Sequence, residues 1–179
     1  MSKAASARVN QAQIEISLLK ILSHPNICRM IDYFENKEFL FVCREFVAGE
    51  TLSEHLNNQK EKDGYIDEFE MRTIFKTVVE TIEFLHDMGV VVRNLNMDSF
   101  IVAETKTDTD SYYQPKMWDL SHMGIVYQGE KTTGQFGPEV YHAPEVVQGS
   151  PYDQKADTWA IGVILFTMII GRLPFSNFQ

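Results

Sequence analysis

The chain is poor in cysteine, has no long apolar run and carries no basic stripe, and each absence removes a class of protein. Its two cysteines, Cys28 and Cys43, stand in apolar surroundings without CxxC or zinc-ligand spacing, so both are expected to be buried, reduced thiols. No 18-residue apolar stretch is present, and the opening Met1-Ser2-Lys3-Ala4-Ala5-Ser6 lacks the apolar core of a signal peptide. That pattern predicts a soluble cytoplasmic protein without a membrane span. A formal net charge of −9, with no cluster of lysine or arginine, argues against a nucleic-acid surface. None of His24, His55, His86, His122 and His142 has metal-ligand spacing, and no internal repeat appears.

What is present suffices for a core: at 179 residues and 44% apolar composition, the chain is long enough to be one domain or part of one. Ile14, Leu18, Ile21 and Leu22 recur at helical spacing over residues 7 to 22, and His24-Pro25-Asn26 stops the helix. Two apolar runs, Ile27 to Phe34 and Phe39 to Val47, flank the turn-like Glu35-Asn36-Lys37-Glu38 and predict a hairpin. A short helix is expected from Thr51 to Asn58, followed by a polar loop from Asn57 to Gly64. Asp67 with Glu70 marks a capped helix start, and Met71, Ile74, Phe75, Val78, Ile82 and Leu85 form one apolar face up to Gly89.

Beyond that helix, Phe100 to Ala103 and Lys116 to Trp118 predict short strands separated by a polar segment, in which Asp108-Thr109-Asp110 suggests a solvated turn rather than a calcium loop. Trp159 to Ile170 is apolar on nearly every face and predicts a helix at the centre of a domain. With nothing after it to cover it, that helix is expected to leave an apolar patch exposed.

The stretch Val92-Arg93-Asn94-Leu95-Asn96-Met97-Asp98-Ser99 carries the most information. Together with Glu15-Ile16-Ser17-Leu18-Leu19-Lys20 ahead of His24-Pro25-Asn26, Glu45-Phe46-Val47-Ala48-Gly49, Asp119-Leu120-Ser121, Ala143-Pro144-Glu145 and Asp157-Thr158-Trp159-Ala160-Ile161-Gly162, it resembles the eukaryotic protein kinases. Among these it looks most like the calcium/calmodulin-dependent and calcium-dependent serine/threonine group. The signatures run in family order from about Arg8 to the end.

That resemblance implies an α+β, protein-kinase-like fold: a partial N-terminal lobe over 1–45, with the αC helix and two or three strands, and a mainly helical C-terminal lobe over 46–179 without its last helices. It also implies damaged chemistry. The family's catalytic loop reads H-R-D-L-x-x-x-N, with Asp as base and Asn as magnesium ligand; here only Arg93 and Leu95 match. Asn94 takes the position of the base, Asn96 that of the loop lysine and Ser99 that of the magnesium-binding Asn, while Asp119 keeps the metal-binding Asp. Glu15 corresponds to the αC glutamate, but the sequence shows no partner lysine upstream beyond an isolated Lys3, and no glycine-rich loop. Arg44 falls at the gatekeeper position and is expected to crowd an adenine ring.

Leu19, Met30, Val92 and Leu120 match the family's apolar stack, and Asp157 matches the Asp that holds the loop backbone. Thr132-Thr133 in the activation segment reads as solvated, with phosphorylation and pairing to Arg93 as the alternative. Pro138 replaces the usual groove-shaping Thr. The implied function is a catalytically impaired regulatory or scaffolding module that binds a protein partner, with no cofactor beyond residual magnesium-ATP. The alternative is a fragment of an active ATP-dependent serine/threonine kinase.

Overall fold

Asp67 begins the helix around which the larger half of the molecule is built: its carboxylate accepts a hydrogen bond from the Glu70 N–H at 2.9 Å, which caps the first turn. In the computed structural model, which describes residues 3–36, 39–63, 67–106 and 111–175 and side chains from Ala12 onward, the helix that follows is α3, Glu68–Asp87. Ile74, Val78, Ile82 and Leu85 lie on one stripe of it and are all buried. Met88 caps its end, and Gly89, at φ 74°, turns the chain into the short strand Val90–Val91.

Ahead of α3, the elements are helix α1 (Lys3–Ile21), strands β1 (Met30–Glu35) and β2 (Leu40–Arg44), strand β3 (Glu50–Thr51) and helix α2 (Leu52–Asp63). Behind it come β4 (Val90–Val91), β5 (Phe100–Lys106), β6 (Ser111–Met117), β7 (Gly124–Ile125), helix α4 (Pro144–Val147) and helix α5 (Lys155–Ile170), with 3₁₀ turns at Met97–Ser99 and Glu139–Tyr141. Among the described residues the strands form three small antiparallel sheets, β1-β2, β3-β5-β6 and β4-β7. The first two are joined where Met117 N–H donates to Asn26 O and Cys28 N–H donates to Met117 O, both at 2.8 Å. One apolar cluster runs through both halves, from Leu18, Leu19 and Leu22 through Leu52, Ile74, Ile82 and Phe100 to Leu120 and Ile164.

The expected α+β order is present, and the differences have physical causes. Residues 57–63, expected as loop, continue α2, because Gln, Lys and Glu are good helix formers whose polar side chains stay in water. The hairpin expected as two short strands pairs fully from Phe100↔Met117 to Lys106↔Ser111, Thr105 and the β-favouring Tyr112 and Tyr113 carrying it outward; Trp118 falls just past its end. Asp108-Thr109-Asp110, and Lys37-Glu38 of the first hairpin turn, lie outside the described residues. Cys28 is buried as expected, but Cys43 faces outward from β2.

Helix α5 is not enclosed all round. Ala160, Val163, Ile164 and Met168 are buried, whereas Ile169 and Ile170 are at least half exposed and Trp159 and Phe166 are partly so. Its inner side packs on α3, and a cylinder that meets the core on one side buries one stripe whatever its composition. No helix among the described residues is long and apolar enough to cross a membrane.

Candidate functional site

Arg93 stands at φ 67°, a left-handed conformation that a branched or long side chain adopts only when its surroundings impose it. The imposing group is Asp157, in the first turn of α5 and almost fully buried. Its Oδ2 accepts from the Val92 N–H at 2.8 Å and its Oδ1 from the Arg93 N–H at 3.0 Å, and His86 Nε2 lies 2.9 Å from Oδ2. A carboxylate fed by such donors is among the stronger anchors available inside a protein. Asp157 thus holds the backbone of the loop from the start of α5.

The Arg93 side chain is equally occupied. Nε donates to His122 O at 2.5 Å, Nη2 to Met123 O at 3.2 Å and Nη1 to Thr132 Oγ1 at 3.5 Å, while the guanidinium lies 4.4 Å from the centre of the Phe136 ring. Burial pulls its pKa below the usual arginine value, with Tyr152 and Asp157 opposing. Thr132 is bridged by backbone to Tyr152, so the segment that contains it is tied down without a phosphate.

Downstream, the chain folds back on itself. The Asn96 side chain accepts from Asp98 N–H at 2.9 Å and its amide donates to Asn94 O, also at 2.9 Å. Ser99 Oγ accepts from Asn96 N–H at 3.2 Å and donates to Asn94 O at 3.1 Å, a reciprocal cap of the 3₁₀ turn. Ser99 has no exposed surface. The hydroxyl expected as a weakened metal ligand is therefore spent on the loop's own backbone.

Asn94 and Asp119 meet directly: Asn94 Nδ2 donates to Asp119 Oδ2 at 2.8 Å. The other oxygen, Oδ1, accepts from Ser121 Oγ at 2.6 Å and Ser121 N–H at 3.2 Å. Gly137, at φ 79°, passes so close that a Cβ there would overlap Asn94 Oδ1. Thus the Asn94 amide is covered by the activation segment on one side and bonded to the carboxylate on the other. Pro138 follows Gly137 and precedes the second 3₁₀ turn, beside a small cleft that Arg93, Asn94, Phe136 and Tyr141 also line.

Glu15 has a partner that spacing did not reveal. Arg44, the last residue of β2, donates from Nη2 to Glu15 Oε1 at 2.5 Å and from Nη1 to the Trp118 carbonyl. Arg44 thus reaches from β2 to an acid on α1 and to the carbonyl before Asp119. Lys3, the isolated upstream lysine, has its side chain outside the described ones. Leu19, Val92 and Leu120 belong to one buried apolar cluster, with Met30 packed against it.

The profile of the protein kinase domain matches residues 1–179. The chain belongs to the protein kinase family. It is 31% identical over 167 residues to sperm motility kinase 3A of Mus musculus, covering 93% of this chain and 31% of the relative. Sperm motility kinase 2B of Mus musculus is 30% identical over 176 residues, covering 98% and 34%. NUAK family SNF1-like kinase 1 of Mus musculus is 30% identical over 167 residues, covering 92% and 24%. The chain thus spans at most about a third of the length of these curated relatives, and the mixed helix and strand architecture is protein-kinase-like.

Two features of this kinase-family site have little local signature. The Arg44–Glu15 pair joins residues 29 apart and depends on how β2 lies against α1. The closure of Gly137 over Asn94 depends on the path of a loop; four glycines between 124 and 137 were the available hint. A third polar cluster, away from this site, has no sequence signature either. His55 is buried with Nδ1 3.0 Å from Glu50 Oε1 and Nε2 2.6 Å from Glu70 Oε1. It fastens α2 to β3 and the start of α3.

Proposed function

We propose that this kinase-family domain is non-catalytic and acts as a regulatory or scaffolding module that binds a protein partner. The observation that carries the reading is the Asn94–Asp119 hydrogen bond. At the position of the base stands an amide, which orients a hydroxyl but does not take its proton, and loss of a general base costs roughly 10²–10⁴-fold in rate. The same amide engages the carboxylate that would grip magnesium, Ser121 engages its other oxygen, and Ser99 is turned into a cap. These residues do not fit a magnesium-ATP complex as they stand. Glu15 is paired with Arg44.

What remains supports shape: the Asp157 anchor, the ordered Arg93 contacts and the apolar stack keep the frame. Net charge of −9 favours a protein partner over nucleic acid. The alternative, a segment of an ATP-dependent serine/threonine kinase, draws on the retained Glu15 and Asp119 and on relatives named as kinases. The deciding measurement is phosphate transfer from ATP to a generic substrate or to itself, with Asp119→Ala as control. No transfer above the control is expected. Transfer that Asp119→Ala abolishes would establish the alternative.

A further inference from the structure

We infer that Arg44 is a built-in clamp that sets the position of α1 against the Asp119 turn, a task done by the chain's own strand and independent of any nucleotide. Nη2 of this guanidinium holds Glu15 Oε1 at 2.5 Å and Nη1 holds the Trp118 carbonyl. Both side chains of the ion pair are largely shielded, at 19% and 15% exposure, so the contact is not an incidental surface pair. Trp118 is itself fastened: its N–H donates to Ser99 O at 3.0 Å and its indole Nε1 to Asp98 O at 2.8 Å. One planar cation therefore links helix α1, strand β2, the residue before Asp119 and the turn after Asn94.

The geometry needs arginine. A guanidinium presents separate N–H edges in a fixed plane and holds two acceptors in a set relation, whereas an ammonium is a single point of charge on a flexible stem. Among the described side chains, Lys20 Nζ donates to Tyr33 Oη at 3.1 Å and Lys116 Nζ to Glu45 Oε1 at 2.6 Å. A clamp of this kind leaves α1 permanently docked, so the surface formed by α1 and β1-β2 is presented in one arrangement rather than switched. The clamp holds Glu15, which stands at the αC-glutamate position, so its test reads the mobility of α1 and not phosphate transfer.

The test is amide hydrogen exchange over residues 12–21 of the full chain, with and without magnesium-ATP, in the wild type and in Arg44→Met, Arg44→Lys and Glu15→Gln. Methionine keeps the apolar stem and removes both donors. Exchange of α1 is expected to quicken about tenfold or more in Arg44→Met, with residues 74–85 of α3 unchanged, and to fall between the two in Arg44→Lys. Magnesium-ATP is expected to add no protection to α1 in the wild type. Unchanged exchange in Arg44→Met, or protection of wild-type α1 by magnesium-ATP, would overturn the inference. If Arg44→Met loosens the whole molecule, Glu15→Gln decides: quickening confined to 12–21 supports the clamp and no change removes it.

Discussion

Asn94 donates its side-chain amide to the Asp119 carboxylate across 2.8 Å, so two positions 25 residues apart in the chain form one neutral-to-anionic contact. An aspartate at the first position would place two negative groups at the same separation, and one of the pair would have to move, bind a cation or take up a proton. The substitution and the surrounding hydrogen bonds form a self-consistent set.

Asn94→Asp is therefore expected to weaken the fold rather than repair a reaction. Loss of the donor and the new like-charge contact together should lower stability by roughly 1–3 kcal/mol, read by urea unfolding. Phosphate transfer should stay at background, because Ser99 and Asn96 remain folded into the cap. A variant as stable as the wild type that also transfers phosphate would contradict both statements.

Asp157→Ala strips the acceptor from the Val92 and Arg93 N–H groups and from His86. Buried donors left without a partner cost about 1–3 kcal/mol each, so a loss of at least about 3 kcal/mol is expected, together with release of the left-handed conformation at Arg93. Denaturant unfolding measures the first. Quickened amide exchange over 92–99 measures the second, and a loss of stability below about 1 kcal/mol would show that the loop holds itself.

Two glycines should respond in opposite directions. Gly137→Ala forces a Cβ onto Asn94 at a positive φ and should destabilise by about 1–3 kcal/mol. Gly162 lies mid-helix on α5 with open space where a Cβ would stand, so Gly162→Ala should stabilise by roughly 0.5–1 kcal/mol through helix propensity. Thermal unfolding of the two variants beside the wild type is the comparison, and shifts of the same sign would refute the placement of one of them.

Glu45 supplies an acid-side pH dependence. The hydrogen bond from the Lys116 ammonium holds its carboxyl below the usual glutamate value; burial opposes this, and the Arg29 N–H adds to the lowering. A carboxyl whose folded pKa is depressed stabilises the fold above its unfolded value of about 4.3 and loses that contribution as pH falls through the lower folded value. Wild-type stability should therefore drop more steeply below about pH 4.3 than that of Glu45→Gln. Parallel curves for the two proteins would show that the Lys116–Glu45 contact contributes nothing.

Much of this architecture was legible along the chain, because its signals are local. The Asp67 cap and the apolar face from Ile74 to Leu85 mark α3 by spacing alone, and Gly89 marks its end. The loop at Arg93-Asn94-Leu95 was legible as a motif, and the resemblance to the protein kinases implied Asp157 as its anchor. Less legible were the lengths of α2 and of the β5-β6 hairpin, where polar residues sit comfortably in helix or strand once a partner element is beside them.

Residue identity alone decided that Asn94 has no proton-accepting carboxylate and that Asp119 keeps one. Tertiary structure alone decided the longer-range pairings: Arg44 reaches Glu15 and the Trp118 carbonyl, and Gly137 covers Asn94. Helix and turn signals are written within a few residues of one another, since the forces that make them act along the backbone. Pairings across 25 to 74 residues depend on where packing of the shared apolar core brings separate elements, and side-chain spacing in the chain does not encode that geometry.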